Sequence, residues 1–485
     1  DTTKTPYVFT PVTLSLSKTL YQNSEQRKRI TWQGYLNYHR KFGAHDITGL
    51  LVAESRRTTY SVFSAQRTNG ILDIDELDFG NPNQTYWSNG GNSSQTSQVG
   101  YVYRAAYNNQ GKYLLEASGR YDGNYYFAPG HKFGFFPAFS AGWRISEEKF
   151  MKSITWIDNL KIRGSWGISG NLAGSPFQYL STYAIDAASS YVFNGTVYQG
   201  AKERLEPNPD ITWERAKKSN IGLEVSLFSR KLNIEADYFR EKRSNMLVSP
   251  ATVVPAEYGI AVAQENAGIM SNRGLDLNVN GVQRIGDLLI DLTFNFTYTK
   301  NKLIQTFENA ATYNDPNRRR TGRPLNTIFG YVAERLFQVE DDKNGDGKID
   351  DKDGFPVQTL GGVVAPGDIK YKDLNGDGKI DATDQTAIGN PNIPGIIYGF
   401  SPRFSYKGLD LSILIQGATK TSAFIRQELV WLLSGANTTT YTLDYWTPDN
   451  RDAKVPRPYG ASGNTNNQQT STWWVWDISY LRIKS

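Results

Sequence analysis

The sequence predicts an all-β fold, a large antiparallel β-barrel that spans a membrane, and three observations favour this class. Stretches of about ten residues alternate apolar and polar side chains, as strands with two unlike faces do. Aromatic residues recur at the ends of these stretches, where membrane proteins place interfacial girdles. Tight turns alternate with long polar connections, which matches the two sides of an outer-membrane barrel.

The alternating stretches follow one another along the chain. The first runs from Tyr113 to Asp122, and a second covers residues 160–168. Residues 220–227 and 232–238 alternate on either side of a short turn at Ser229 to Lys231. This arrangement predicts a hairpin of two long strands.

The pattern continues toward the C-terminal end. Residues 275–280, 288–299 and 400–415 alternate in the same way. Two long polar connections are predicted between strands, Gly170 to Thr212 and Glu241 to Arg273. Together the stretches indicate an antiparallel meander.

Alternation by itself fits a soluble sandwich as well as a membrane barrel, because both have one apolar and one polar strand face. The girdle positions and the unequal connections favour the barrel. In that fold Leu223 and Val225 should face lipid, and Ser226 should face the lumen. The aromatic residues at predicted strand ends are Tyr101, Tyr121, Phe139, Trp143, Trp166, Tyr238, Tyr298, Phe404 and Tyr406.

The composition excludes several function classes. The 485 residues include no cysteine, which removes disulfides, thiol catalysis and cysteine-ligated metal sites. The histidines His39, His45 and His131 are scattered and lack a metal-ligand spacing. Lys+Arg 53 against Asp+Glu 48 gives +5 with both signs interspersed, whereas a nucleic-acid-binding protein would carry a clustered basic face. No nucleic-acid partner is expected.

Membrane-spanning helices are not predicted, because no window approaches the ~18 apolar residues that such a helix needs. The mean hydropathy of −0.51 is no argument against membrane strands, since their two faces average out. The chain opens at Asp1 without a signal-peptide pattern, so a leader is expected to have been removed or never included. The last residues, WWVWDISYLRIKS, resemble the start of a strand, and a longer chain is expected.

Two near-copies of a calcium-loop pattern lie at residues 342–384. The segments DKNGDGKIDDKD (342–353) and DLNGDGKIDATD (373–384) have oxygen ligands at positions 1, 3 and 5, glycine at 6, a carbonyl at 7, and carboxylates at 9 and 12. We predict two calcium ions with a structural role. The predicted ligands are Asp342, Asn344, Asp346, the Lys348 carbonyl, Asp350 and Asp353 for one ion, and Asp373, Asn375, Asp377, the Lys379 carbonyl, Asp381 and Asp384 for the other.

The affinity of these loops should be weak. Position 12 is Asp where a bidentate Glu is usual, so we expect a dissociation constant of about 10⁻⁴–10⁻³ M. The alternative is that each NGDG sequence makes tight Asx turns in a solvated acidic loop without an ion.

Several separated motifs resemble the SusC/RagA family of TonB-dependent outer-membrane transporters of the Bacteroidetes. They lie in the same order as in that family and cover most of the chain. The motifs are GKYLLEASGRYDGNYYF (111–127), FGFFPAFSAGWRISEEKFM (133–151), LKIRGSWGISGN (160–171), NPDITWERAKKSNIGLEVSLFSRKLNIEADYF (208–239), NAGIMSNRGLDLNVNG (266–281), PGDIKYKDLNGDGKIDATDQTAIGNPNIPGIIYGF (366–400) and YWTPDNRDAKVPRP (445–458).

The resemblance implies a barrel of 22 strands, of which residues 1–485 would be an incomplete part without the plug domain, the TonB box and the final strands. It places residues 342–384 in an extracellular loop region. The implied function is TonB-dependent import of oligosaccharides or peptides across the outer membrane, with no enzymatic activity. The implied partners are a SusD-like surface lipoprotein that acts as a lid, the TonB complex, outer-membrane lipid, and a second barrel–lid pair in a dimer.

Two other classes remain as alternatives. A secreted β-rich glycan-binding or glycan-hydrolysing protein would also be aromatic-rich, but hydrolysis needs a carboxylate pair across a cleft, and Glu147 with Glu148 is expected to be a solvated acidic turn. A passive porin is the other alternative, and the resemblance disfavours it. Trp87 and Trp431 would stack on sugar in a transporter, although loop packing is the simpler expectation.

Overall fold

The fold is that of a computed structural model, which describes residues 18–68, 74–185, 190–431, 439–459 and 465–485. The prediction about a leader peptide rests on the first residues of the chain, which lie outside these ranges. No helix within them is long and apolar enough to cross a membrane. The single α-helix that they contain is α1 (Ala310–Tyr313).

Long strands dominate the first part of the chain, and short strands lie in the connections between β6 and β11 and between β12 and β14. They are β1 (Thr19–Phe42), β2 (His45–Thr68), β3 (Trp87–Asn109), β4 (Tyr113–Asn124), β5 (Phe133–Arg144), β6 (Ile157–Asn171), β7 (Thr182–Ala184), β8 (Tyr191–Phe193), β9 (Thr196–Tyr198), β10 (Lys202–Glu206), β11 (Glu214–Leu227), β12 (Leu232–Val248), β13 (Ala261–Val262), β14 (Glu265–Ile285) and β15 (Leu288–Gln305).

Shorter strands follow in the second half. They are β16 (Ile328–Gly330), β17 (Ala333–Leu336), β18 (Val357–Gln358), β19 (Ile369–Tyr371), β20 (Lys379–Ile380), β21 (Thr386–Gly389), β22 (Ile396–Tyr406), β23 (Leu409–Ser412), β24 (Ile415–Thr419), β25 (Ser422–Phe424), β26 (Val475–Asp477) and β27 (Tyr480–Ile483).

The chain divides into two compact units. Among the described residues, unit 1 comprises those within 18–37, 50–103 and 120–125, and unit 2 comprises those within 38–49, 104–119 and 126–485. In unit 1, parts of β1 to β4 lie in sheet order β1–β2–β3–β4. In unit 2 the order runs from the remaining parts of those strands through β5, β6, β11, β12, β14, β15, β22 and β24 to β27, with β23 paired to β22.

The predicted hairpin is confirmed. β11 and β12 pair antiparallel in an unbroken register from Arg215↔Ser244 to Leu227↔Leu232. The turn between them is tight, with positive φ of 57°, 59° and 61° at Phe228, Ser229 and Arg230. Residues other than glycine rarely adopt a positive φ. Here it is held by a hydrogen bond of 2.9 Å from the Arg230 N–H to Asp158 Oδ2.

The apolar face of the large sheet is open in unit 2, and this decides between the two all-β classes. Ile221 is 64% exposed, Phe139 54% and Ile162 44%. A soluble sandwich would bury these side chains against a second sheet. An apolar strand face without a protein covering is what a lipid-facing surface requires.

The predicted connection from Glu241 to Arg273 is wrong in its bounds. β12 continues to Val248 and β14 begins at Glu265, so the connection is only residues 249–264. Sequence alternation ends earlier because residues 240–245 of β12 and residues 271–273 of β14 are all polar, which hides these parts of the strands from a hydropathy pattern.

The connection between β15 and β22 and the connection between β24 and β27 pack together into one long-connection module with a shared core. Trp474, Ile369, Tyr371 and Ile380 are almost completely buried in this core. The module therefore packs sequence near residue 370 against sequence near residue 474. It also carries both calcium-like loops.

Candidate functional site

The polar face of unit 2 carries a network of paired charges across β6, β11 and β12. Glu224 Oε1 accepts hydrogen bonds from Lys161 Nζ at 3.1 Å and from Arg163 Nε at 2.8 Å. The same guanidinium donates from Nη2 to Asp237 Oδ2 at 2.8 Å. Alternation places these residues on one face, and the register brings them side by side. Sequence reasoning missed this network, although Lys161 and Arg163 in LKIRGSW and Glu224 in NIGLEVS lie on the polar face of alternating stretches.

A cleft of about 490 Å³ lies beside this network on the polar face. Asp46, Arg104, Glu116, Lys161 and Arg163 contribute charges of both signs to its lining. Arg104 Nη2 and Glu116 Oε2 form an ion pair of 2.7 Å. The wall therefore offers fixed donors and acceptors to a polar solute, with its charges already matched to each other.

In the first calcium-like loop, the carboxylate groups accept hydrogen bonds from backbone N–H groups of the same loop. Asp342 Oδ1 accepts from Gly345 N–H at 2.8 Å, and Asp342 Oδ2 accepts from Gly347 N–H at 2.8 Å. Asp346 Oδ1 accepts from Lys348 N–H at 2.9 Å. The side chain of Asp353 is buried, and its Oδ1 accepts from Lys343 N–H at 2.8 Å.

The second loop repeats this arrangement. Asp373 accepts from Gly376 and Gly378 N–H at 2.6 and 2.9 Å, and the buried Asp384 accepts from Leu374 N–H at 2.8 Å. Burial opposes ionisation of Asp373, but the backbone N–H donors outweigh it and lower the pKa of its carboxyl group. Asp373 is therefore ionised at neutral pH.

These bonds place the predicted ligands in two equivalent loops, and the Asx turns of the alternative interpretation are present in both. Asn344 and Asn375 accept the N–H groups of Asp346 and Asp377 at 2.9 Å each. Asp350 and Asp381 cap the short 3-10 turns that end the loops. No group of three or more His, Cys, Asp or Glu side chains in the described part of the chain is arranged to hold a metal ion. The calcium ions stay a prediction.

A buried polar network fixes the module that carries the loops. Asp368 Oδ2 accepts from Tyr459 Oη at 2.8 Å, and its Oδ1 accepts from Asn467 Nδ2 at 2.8 Å. Asn467 Oδ1 in turn accepts from Ile369 N–H at 2.9 Å. Burial raises the pKa of Asp368 to about 6, although these donors and the charge of Arg457 favour its ionised form. Sequence reasoning missed this network because its members lie about a hundred residues apart.

Both tryptophans that were candidates for sugar stacking pack against neighbouring residues of the chain. The Trp87 ring lies 4.2 Å from the Arg67 guanidinium, and its Nε1 donates to the Asn81 carbonyl at 2.7 Å. Trp431 packs on the core of the module and makes an edge contact with Phe424 at 6.5 Å. These contacts support loop packing.

Glu147 and Glu148 form an acidic turn after β5. Hydrogen bonds from Lys152 to Glu147, and from Tyr113 and Trp143 to Glu148, lower the pKa of both carboxyl groups. A glycosidase pair needs one carboxyl group with a raised pKa. Neither Glu147 nor Glu148 has the raised pKa that the general acid of such a pair needs.

Comparison with known proteins gives a match over nearly the whole chain. The family model described as "TonB dependent receptor-like, beta-barrel" matches residues 2–484. Among curated proteins, TonB-dependent receptor P3 of Formosa agariphila is 27% identical over 471 residues, which cover 93% of this chain and 44% of that protein. TonB-dependent receptor SusC of Bacteroides thetaiotaomicron is 24% identical and is matched over 72% of this chain and 37% of its own length.

Solved structures share the fold. A structure of the RagAB peptide transporter superposes with a TM-score of 0.74 at 20% identity, over 96% of this chain and 49% of that one. A structure of the RagAB peptide importer in the "open-open" state gives 0.74 with 96% and 48% coverage. The chain thus spans about half the length of these relatives or less. The named relatives are receptors and transporters.

Proposed function

The chain belongs to the TonB dependent receptor-like β-barrel family, and we propose that it forms part of the barrel of a TonB-dependent importer. Proteins of this family are outer-membrane β-barrels, so the outer membrane is where this chain resides. An outer membrane has no nucleotide or ion gradient of its own. Energy for import would therefore come from the TonB complex, acting through a plug domain of the whole protein.

One observation carries this proposal: the two faces of the same strands are chemically opposite. Ile221, Leu223 and Ile162 expose apolar side chains on one face, while Lys161, Arg163 and Glu224 pair their charges on the other. The first face suits lipid and the second suits a water-filled path. A secreted glycan-binding or glycan-hydrolysing protein is not favoured, because its apolar strand faces would be covered.

The substrate class that we propose is an oligosaccharide or a peptide. Both are polar and uncharged or mixed in charge, and the paired charges beside the cleft suit such molecules better than a strongly charged one. We also propose a SusD-like surface lipoprotein as a lid over the long connections, and a dimer of barrel–lid pairs. The long-connection module supports the lid, since connections that long, packed around a common core, are usually functional.

Calcium is proposed as a structural ion of the twin loops. Support comes from the repeated spacing, the equivalent hydrogen bonds in both loops and the lowered pKa of Asp373. The ions would stiffen the module that faces the lid. They would have no catalytic role.

The proposal is tested by extracting the full-length receptor from native membranes in mild detergent. A lipoprotein and a bound oligosaccharide or peptide should copurify, and deletion of the receptor gene should abolish uptake of that substrate. A receptor that copurifies with no lipoprotein and shows a wide, permanently open conductance would contradict it and would favour a passive porin.

A further inference from the structure

The apolar face of unit 2 ends at a sharp chemical boundary on four neighbouring strands, β11, β12, β14 and β15. The last apolar row across these strands follows from the register. It consists of Ile221, Tyr238, Leu275 and Tyr298, which are paired in that order. Two of the four are tyrosines, the residue type typical of a membrane interface.

Beyond this row the same face becomes basic. The next row consists of Ser219, Arg240, Arg273 and Lys300, and the row after it of Lys217, Lys242, Ser271 and Lys302. We call the six cations in these two rows the basic rows. All six side chains are exposed: Lys217, Arg240, Lys242, Arg273, Lys300 and Lys302.

Like charges face each other directly in the basic rows. Arg273 is paired with Arg240 on one side and with Lys300 on the other. Directly opposite side chains have Cβ atoms about 4.5–5.5 Å apart, and like charges at this spacing destabilise a sheet. No described carboxylate lies within ion-pair distance of any of the six. An anion that bridges them would remove this repulsion.

The polar face of the same strands shows the contrast. Lys218 and Arg243 lie next to Lys217 and Lys242 in sequence but point to the opposite side. Both approach Glu241, at 3.8 Å and 3.2 Å. The strands therefore match charges on the polar face and leave them unmatched on the apolar face.

The position of the basic rows relative to the membrane follows from the connections. The tight turn at 228–231 lies at one end of these strands, and the connections 249–264 and 306–327 lie at the other. Short turns face the periplasm and long connections face the exterior in outer-membrane barrels. The basic rows are at the long end, just past the interfacial tyrosines. They are therefore level with the headgroups of the outer leaflet.

We propose that the basic rows bind phosphate groups of an outer-leaflet glycolipid. Arginine guanidinium groups match phosphate oxygens with two parallel hydrogen bonds, and basic clusters at a membrane surface attract anionic headgroups. The two rows are about 7 Å apart along the strands, so one headgroup with separated phosphates can contact both. Lys420 adds a cation at the boundary, with its Nζ 5.1 Å from the Tyr298 ring centre. This binding does not depend on the import proposed above.

The test places the full-length receptor in phosphatidylcholine nanodiscs that contain a minor fraction of bis-phosphorylated lipid A. Bound lipid A per receptor is counted by native mass spectrometry. A parallel sample contains dephosphorylated lipid A with the same acyl chains. We expect several-fold more bound phosphorylated than dephosphorylated lipid, and loss of that preference in Arg240→Gln/Arg273→Gln.

The matched control is Lys218→Gln/Arg243→Gln, which removes two charges from the opposite face of β11 and β12 and should leave the preference intact. If Arg240→Gln/Arg273→Gln fails to assemble, Arg273→Gln alone should still lower the preference for phosphorylated lipid A. The variant Arg240→Lys/Arg273→Lys should retain most of that preference. Equal binding of both lipids, or equal loss in the control variant, overturns the proposal. Competition by free inorganic phosphate that removes all bound lipid A would likewise reassign the site to a free anion.

Discussion

Arg163 crosses β11 directly over Gly222 to reach Asp237. A Cβ atom at Gly222 would lie 2.7 Å from both Arg163 Cζ and Asp237 Oδ1. The missing side chain therefore leaves the space through which the guanidinium of β6 contacts the carboxylate of β12.

Gly222→Ala should break this contact without unfolding the barrel, because the clash falls on the ends of two flexible side chains. The expected cost is about 1.5–3 kcal/mol in the free energy of unfolding, the value of a hydrogen bond to a charged group. Thermal unfolding in detergent measures it. Gly164→Ala is the control, since its nearest atom would be the Asn220 carbonyl oxygen at 3.9 Å. An equal cost in an Asp237→Asn background would contradict the explanation.

Leu223→Arg should destabilise the protein by about 2–4 kcal/mol, because it places a charge on the lipid-facing surface. Ser226→Arg, on the polar face three residues later, should be tolerated. Reversible unfolding of the full-length receptor in lipid vesicles measures the difference. Equal tolerance of both substitutions would mean that the two faces have been assigned wrongly.

Asp368 should make the long-connection module more stable at lower pH. Its pKa of about 6 is above the ordinary value of 3.8, so the folded state binds this proton more tightly than the unfolded state. Stability should rise as the pH falls through about 6 and should level off near 4, for a total of about 3 kcal/mol. Hydrogen exchange at the Ile369 amide, corrected for intrinsic rates, reports the change. Asp368→Asn should flatten the profile, and protection that instead decreases toward pH 5 would contradict this account.

Calcium binding should be detectable by calorimetry on the full-length receptor at millimolar concentrations. Asp346→Ala and Asp377→Ala should each remove one site, loosen the module and weaken docking of the proposed lipoprotein lid, with barrel assembly unchanged. Asp351→Ala is the matched control, because this carboxylate lies in the first loop outside the predicted ligands. A titration without heat of binding in the unmodified receptor would leave the loops as Asx turns.

Sequence alternation predicts most of the long strands, because lipid and water demand opposite side chains on two faces. It overlooked β1, β2 and β3, although Ile30, Trp32 and Leu36 alternate within β1 and are exposed. It also shortened β12, because residues 240–245 are polar on both faces of the strand. The contacts of Arg163 could not be predicted, because they depend on the register of three strands and not on any local pattern. The calcium-like loops were visible as motifs because all their ligands are local.

The matching of charges on the polar face has a consequence for how a solute would travel. Glu224 and Asp237 are each held by a cation, so the wall there presents closely spaced dipoles and no extended region of one sign. Passage along a path requires sites that a solute can leave as easily as it enters. A surface of neutralised pairs gives many shallow contacts and no deep electrostatic trap. A polar solute should therefore meet only low energy barriers along this wall, and its rate of passage should depend little on the salt concentration.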